Sequence, residues 1–126
     1  MRALRVAAYA PLSMELESAE VPDTPPPGML LVDAHTTAIS AGTEIANFRG
    51  ITTYRSAANP DWRADPYVPG YSVAGAVRAV GEGVTRFAPG DRVCGMGPHA
   101  SVAVVDPTSF VRVPDTVSFD HAAMTT

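Results

Sequence analysis

The order of hydrophobic and polar residues changes period several times along the chain, and each change marks an element. Residues 1–10, MRALRVAAYA, read as a strand. After Pro11, residues 13–20 alternate Met14, Leu16 and Ser18 against Glu15, Glu17 and Ala19. That is the period of two expected of a half-exposed strand. In VPDTPPPG (21–28) three consecutive prolines forbid both helix and central strand. Residues 28–40 place Leu30, Val32, Ala34, Thr36 and Ala38 on one face and Leu31, Asp33, His35, Thr37 and Ile39 on the other. This predicts a long strand, buried on both sides near its end.

Gly42 breaks that strand, and Thr43 to Phe48 make one or two helical turns before Gly50. A segment without period runs from Ile51 to Pro69; connections of that length in compact domains are usually functional or mobile. Residues 71–80, YSVAGAVRAV, form a strand with Ala74 and Gly75 at its middle, where glycine marks a close backbone approach. GEGVTRFAPGDRV (81–93) supplies two turns and a strand start, and ASVAVVD and FVRVP are strands around a turn at Pro107. VSFDHAAMTT opens a helix, with Ser118 or Asp115 as N-cap. The sum is about seven short strands and one or two brief helices, a mainly β, barrel-like domain with a helix at its C-terminal edge.

Composition narrows the class. With 126 residues this is one domain's worth of sequence, too short for a substrate domain plus a complete nucleotide-binding domain. The hydrophobic fraction of 46% excludes a disordered tail, and 12 Pro with 10 Gly argue against a helical bundle. The net charge is −4 and the nine basic residues, all Arg, form no run, so no nucleic-acid partner is expected. Cys94 is the single cysteine, which excludes an intrachain disulfide and any Cys-rich zinc site. No secretory signal and no membrane span are legible, and a reduced, cytoplasmic setting is expected.

Three segments then carry a resemblance. PGYSVAGAVRAVGEGVTRFAPGDRV (69–93) resembles the medium-chain dehydrogenase/reductase signature, in which G-H-E-x-x-G-x-V runs into V-G-x-G-V-x-x-F-x-x-G-D-R-V. Val80, Gly81, Gly83, Val84, Phe87, Gly90, Asp91, Arg92 and Val93 match its second part position for position. SAGTEIANFRG (40–50) resembles the C-G-S-D-x-x-x-x-x-G turn, and residues 97–124 resemble the stretch leading into the cofactor domain. SAGTE (40–44), PGYS (69–72) and GPHA (97–100) are similar to a subgroup that includes bacteriochlorophyllide dehydrogenase-like proteins. The resemblance implies a GroES-like, partly open β-barrel over residues 1–117, with residues 118–126 beginning a helix that bridges to a Rossmann domain binding NAD(P)(H). It also implies a cytoplasmic enzyme, homodimeric at full length, acting on a small molecule.

The departures matter equally. Zinc-bearing relatives use the Cys of C-G-S-D and the His and Glu of G-H-E; here those positions hold Ala41, Tyr71 and Ser72. Ala has no ligand atom, and neutral Tyr and Ser are poor zinc ligands, so no zinc is expected. The expected function is therefore the N-terminal catalytic part of a zinc-independent NAD(P)(H)-dependent oxidoreductase. It would move hydride to or from a carbonyl/alcohol or an activated C=C, and the 126-residue piece alone would be inactive. The alternative is a stand-alone GroES-like binding or assembly module without redox chemistry.

The candidate site residues each carry two readings. By resemblance Thr43 hydrogen-bonds substrate or the nicotinamide ribose; otherwise it caps its helix. Glu44 reads as a first-turn acid serving the helix dipole. Tyr71 either donates to a developing alkoxide, with Ser72 orienting it, or simply packs in the cleft wall. Ala41, Tyr54, Trp62 and Tyr67 are candidates for a substrate pocket, and Thr125 and Thr126 for contact with the nicotinamide. His35, His99 and His121 are scattered and predict no metal site; Cys94 reads as a buried structural thiol, and Asp91 as turn chemistry. Gly81-Glu82-Gly83 starts like a dinucleotide fingerprint but fails at Arg86.

Overall fold

The computed structural model describes residues 1–51 and 65–125. Tyr54, Trp62 and Thr126 lie outside the described residues.

The chain opens as an antiparallel hairpin of β1 (Arg2–Ala10) and β2 (Ser13–Glu20), with Val6 opposite Leu16. Leu12 turns the hairpin in the left-handed region, φ 62°. The apolar face of β2 points to solvent: Leu16 is 70% exposed. The face carrying Glu17 is the more covered one, because Glu17 accepts from Arg5 Nε at 2.7 Å and from the Tyr9 hydroxyl at 2.5 Å. The Tyr9 hydrogen bond, then Arg5, holds the Glu17 carboxyl below its ordinary range, and the same bond pushes the Tyr9 phenol up.

The remaining strands are β3 (Leu30–Thr37), β4 (Val73–Val80), β5 (Arg92–Gly95), β6 (Val102–Val105) and β7 (Phe110–Arg112). They form one antiparallel sheet in the order β6-β3-β4-β5-β7. β6 and β7 are consecutive in sequence yet sit on opposite edges, joined through the 3₁₀ turn Pro107–Ser109. A flat sheet of this size would hold its edges about 19 Å apart. The link from Val105 to Phe110 spans only about 14 Å. The sheet must therefore curl, which yields the open, unclosed barrel the sequence led us to expect.

Leu30 and Val32 of β3 enter the main core with Val73, Val77, Phe87 and Phe110. Leu31 faces the other way, under the hairpin with Ala3 and Val102. Burial on both sides thus occurs at the start of β3 and not near its end. The reason is that β6 pairs only as far as Asp33, so the second half of β3 loses a flank. Gly75 sits where the β3–β4 register shifts, and a Cβ there would collide with the Asp33 carbonyl oxygen, the close approach expected of it.

Two short helices complete the described structure: α1 (Thr43–Phe48) and α2 (Phe119–Ala123). Ser118 is the N-cap of α2, accepting from the His121 N–H at 3.2 Å. Ala122 and Ala123 pack on Ala74 and Cys94, so Cys94 is buried as expected. Arg92 pins the approach to α2 by donating to the Pro114 and Val117 carbonyls, each at 2.6 Å, with its guanidinium 4.5 Å from the Phe119 ring.

Candidate functional site

α1 follows the turn after β3, and its cap differs from expectation. Gly42 is the N-cap and makes no side-chain cap bond. Thr43 is the first helical residue and is exposed, so its capping role is corrected. Ala41 is exposed beside it.

Glu44 is the larger surprise. One residue into the helix, it is 4% exposed instead of a solvated dipole partner. Its Oε2 accepts from the Ser40 N–H at 3.2 Å and lies 3.1 Å from His99 Nε2. His99 Nδ1 lies 2.8 Å from the Thr37 hydroxyl. The consistent assignment for a neutral ring has Thr37 donating to Nδ1 and Nε2–H donating to Glu44. Glu44 Oε1 is buried and has no hydrogen-bond partner among the described residues.

The backbone fixes His99 tightly. Its N–H donates to the Pro69 carbonyl at 2.9 Å and its carbonyl accepts from Val6 N–H at 2.9 Å. Gly70, at φ 105°, permits this, because a side chain there would meet the Pro98–His99 backbone. The Pro69 side chain is fully buried beneath. The Glu44–His99 pairing was not legible from the sequence, since 55 residues separate the two. The His99 ring pairs with Thr37 and Glu44 and not with Cys94, whose Sγ lies 3.8 Å from the Thr125 hydroxyl.

Glu44, His99 and Thr37 border a groove of about 440 Å³ between the hairpin and α1. Val6, Met14, Ile39, Ile45 and Phe48 supply its apolar walls. A backbone bond from Leu12 N–H to the Phe48 carbonyl, 2.9 Å, ties the hairpin tip to the end of α1.

A second, smaller cleft of about 150 Å³ lies between the end of β3 and α2, bordered by Ser40, Tyr71, Ser72 and Met124. Tyr71 is half-buried in its wall. Ser72 is 3% exposed, and its hydroxyl donates to the Ala123 carbonyl, so it holds α2 in place. The Thr125 hydroxyl donates to the Ala122 carbonyl at 2.7 Å. Tyr67 is half-buried and its backbone pairs with Ala8 in both directions, at 2.8 and 2.9 Å. Among the described residues no three His, Cys, Asp or Glu side chains gather as a metal site. Zinc does not fit the positions its relatives use, because Ala41 has no ligand atom and the Ser72 hydroxyl is committed to a carbonyl. A dinucleotide cradle does not fit the described residues either: every strand pairing is antiparallel and α1 has 6 residues. No helix among the described residues is long and apolar enough to cross a membrane.

The fold defines a class of protein. The alcohol dehydrogenase GroES-like domain family matches residues 26–115, and the chain belongs to that family, within the medium-chain dehydrogenase/reductase superfamily. Quinone oxidoreductase of Rattus norvegicus is 31% identical over 98% of this chain and 36% of its own length. Trans-enoyl reductase FMN2 of Fusarium mangiferae is 34% identical over 85% of this chain and 26% of its own length. The mycobacterial protein Rv1454c, in a structure complexed with NADPH, superposes with a TM-score of 0.75 at 22% identity, covering 98% of this chain and 36% of that one. That likeness shows the fold. The chain spans about a third of the length of the relatives it matches end to end.

Proposed function

We propose that residues 1–117 form the substrate domain of a zinc-independent, NAD(P)(H)-dependent oxidoreductase, and that residues 118–126 begin the bridge to its nucleotide-binding domain. The observation that carries this reading is the cleft at Tyr71 and Ser72, walled by the residues just past β3 and by the end of α2, at two of the positions where zinc-bearing relatives place their metal ligands. The cofactor supplies or accepts a hydride. This chain's residues then have two tasks. Tyr71 donates a hydrogen bond to the oxygen on which negative charge develops, the part metal plays elsewhere. Thr43 would hydrogen-bond substrate or the nicotinamide ribose and Thr125 would contact the nicotinamide when the cofactor is bound, and Ser72 fixes the α2 wall through the Ala123 carbonyl.

The likeness to quinone and enoyl reductases favours a conjugated substrate, in which the double bond delocalises the charge and a single hydroxyl donor is enough. Exposed apolar side chains such as Leu16, Ile39 and Met124 support a homodimer at full length. The 126-residue chain alone is then inactive, since the dinucleotide cradle is missing from its described residues. Isothermal titration with NADH and NADPH tests this. The expected result is no saturable binding by this chain, and micromolar binding would overturn the division of labour proposed.

A further inference from the structure

Two walls of the Tyr71 cleft come from segments far apart in the chain: Ala38–Ser40, just past β3, and Tyr71–Ser72, just before β4. A buried brace joins them. Glu44 holds the first wall through one residue, since its Oε2 accepts from the Ser40 N–H at 3.2 Å and its own N–H donates to the Ser40 carbonyl at 3.2 Å. His99 holds the second, since its N–H donates to the Pro69 carbonyl at 2.9 Å, two residues before Tyr71. Gly70, between them, is pressed so closely on the Pro98–His99 backbone that a Cβ would collide with it. The contact of Glu44 Oε2 with His99 Nε2 at 3.1 Å closes the brace, and the Thr37 hydroxyl fixes the imidazole at 2.8 Å from Nδ1.

We infer that Glu44 and His99 are positioning residues for this cleft: they set the separation of its Ser40 and Tyr71 walls, and with it where the Tyr71 hydroxyl meets the substrate oxygen. The inference rests on the hydride-transfer reading of Tyr71 given above. Neither side chain borders the cleft, so both act through Ser40 and Pro69 and touch no reacting atom. Hydrogen bonds to a charged acceptor are among the stronger ones, and burial keeps this pair from the screening that weakens surface ion pairs. Placement matters because a misplacement of about 1 Å at a reacting centre can cost about 100-fold in rate. The role is one of geometry and not of charge, since an amide oxygen at position 44 would accept from the same two donors.

The test begins with NMR of the 126-residue chain carrying carbon-13-labelled tyrosines, the Tyr71 ring signal being the one lost in Tyr71→Phe. Glu44→Ala should move that signal and leave the Tyr9 ring, which is bonded to Glu17 on the hairpin, unmoved. Glu44→Gln should restore the parent position. Thr37→Val keeps the volume and removes the hydroxyl that fixes the imidazole, so it should move the Tyr71 signal by less and remain folded. The second arm uses the longer protein that includes a nucleotide-binding domain, assayed with NADPH and 1,4-naphthoquinone. There Glu44→Ala should lower kcat about 10- to 100-fold with KM changed less than about twofold, and Glu44→Gln should rescue most of the loss. An unmoved Tyr71 signal in the folded variants, equal movement of the Tyr9 and Tyr71 signals, or a Glu44→Gln variant that behaves like Glu44→Ala would each overturn the inference. A Tyr71 signal that moves while kcat stays unchanged would uphold the brace and overturn the hydride-transfer reading of Tyr71.

Discussion

Glu44 Oε2 meets His99 Nε2 at 3.1 Å, joining the first turn of α1 to the loop that leads into β6. Both side chains are largely withdrawn from water, at 5% and 12% exposure. The pair therefore ties three remote segments, since Thr37 at the end of β3 completes it.

Breaking this pair should be expensive. His99→Ala leaves Glu44 with the Ser40 N–H alone and a buried acid without its main partner. Urea unfolding should show a loss of about 1.5–3 kcal/mol relative to the parent chain. A loss below about 1 kcal/mol would mean the pair is solvated in solution.

Ser72→Ala removes the donor that satisfies the Ala123 carbonyl. The expected cost is about 1–3 kcal/mol, concentrated at α2. Amide hydrogen exchange should accelerate for Ala122 and Ala123 and stay unchanged in β3. Uniform acceleration across the sheet would contradict this local role.

Gly75→Ala forces a methyl group into the Asp33 carbonyl oxygen at the bulge between β3 and β4. No flexible side chain can yield there, because the obstacle is backbone. The variant should lose more than about 3 kcal/mol or fail to fold, as read by circular dichroism and thermal unfolding.

Asp91 should contribute an acid-sensitive share of stability. Its carboxylate accepts the Ala88 N–H at 2.9 Å and two bonds from Arg112, which hold its pKa below the ordinary 3.8. A depressed folded-state pKa means the contribution is present above about pH 3.8 and fades as pH falls through the lower folded value. Asp91→Asn should thus be less stable than the parent at pH 7, with the gap narrowing below pH 3.8 in denaturant titrations. A gap independent of pH would assign the effect to shape alone.

In the longer protein that includes a nucleotide-binding domain, Tyr71→Phe should lower kcat about 100-fold or more with little change in KM. That split distinguishes a donor acting in the transition state from a wall residue, which would raise KM.

Much of the scaffold was legible in order. Alternation located β2 and β3, and turn residues bounded the other five strands found among the described residues, because both are local properties of the chain. The Ser118 cap and the Gly75 approach were likewise readable, since each depends on residue chemistry at one position. The family was legible from matched glycines and the GDRV turn, which are also local.

What remained hidden depends on long-range contact. Thr43 looks like a cap, yet Gly42 takes that place, because backbone geometry after β3 sets where the helix begins. Glu44 looks like a solvated acid, and only the curled sheet brings His99 against it from 55 residues away. β2 keeps its alternation, but Arg5 and Tyr9 draw the polar Glu17 toward cover and leave Leu16 in water. The sequence alone determined which elements form and which family they belong to. Tertiary structure decided which polar groups are buried together, because burial is a property of the surrounding chain and not of the residue.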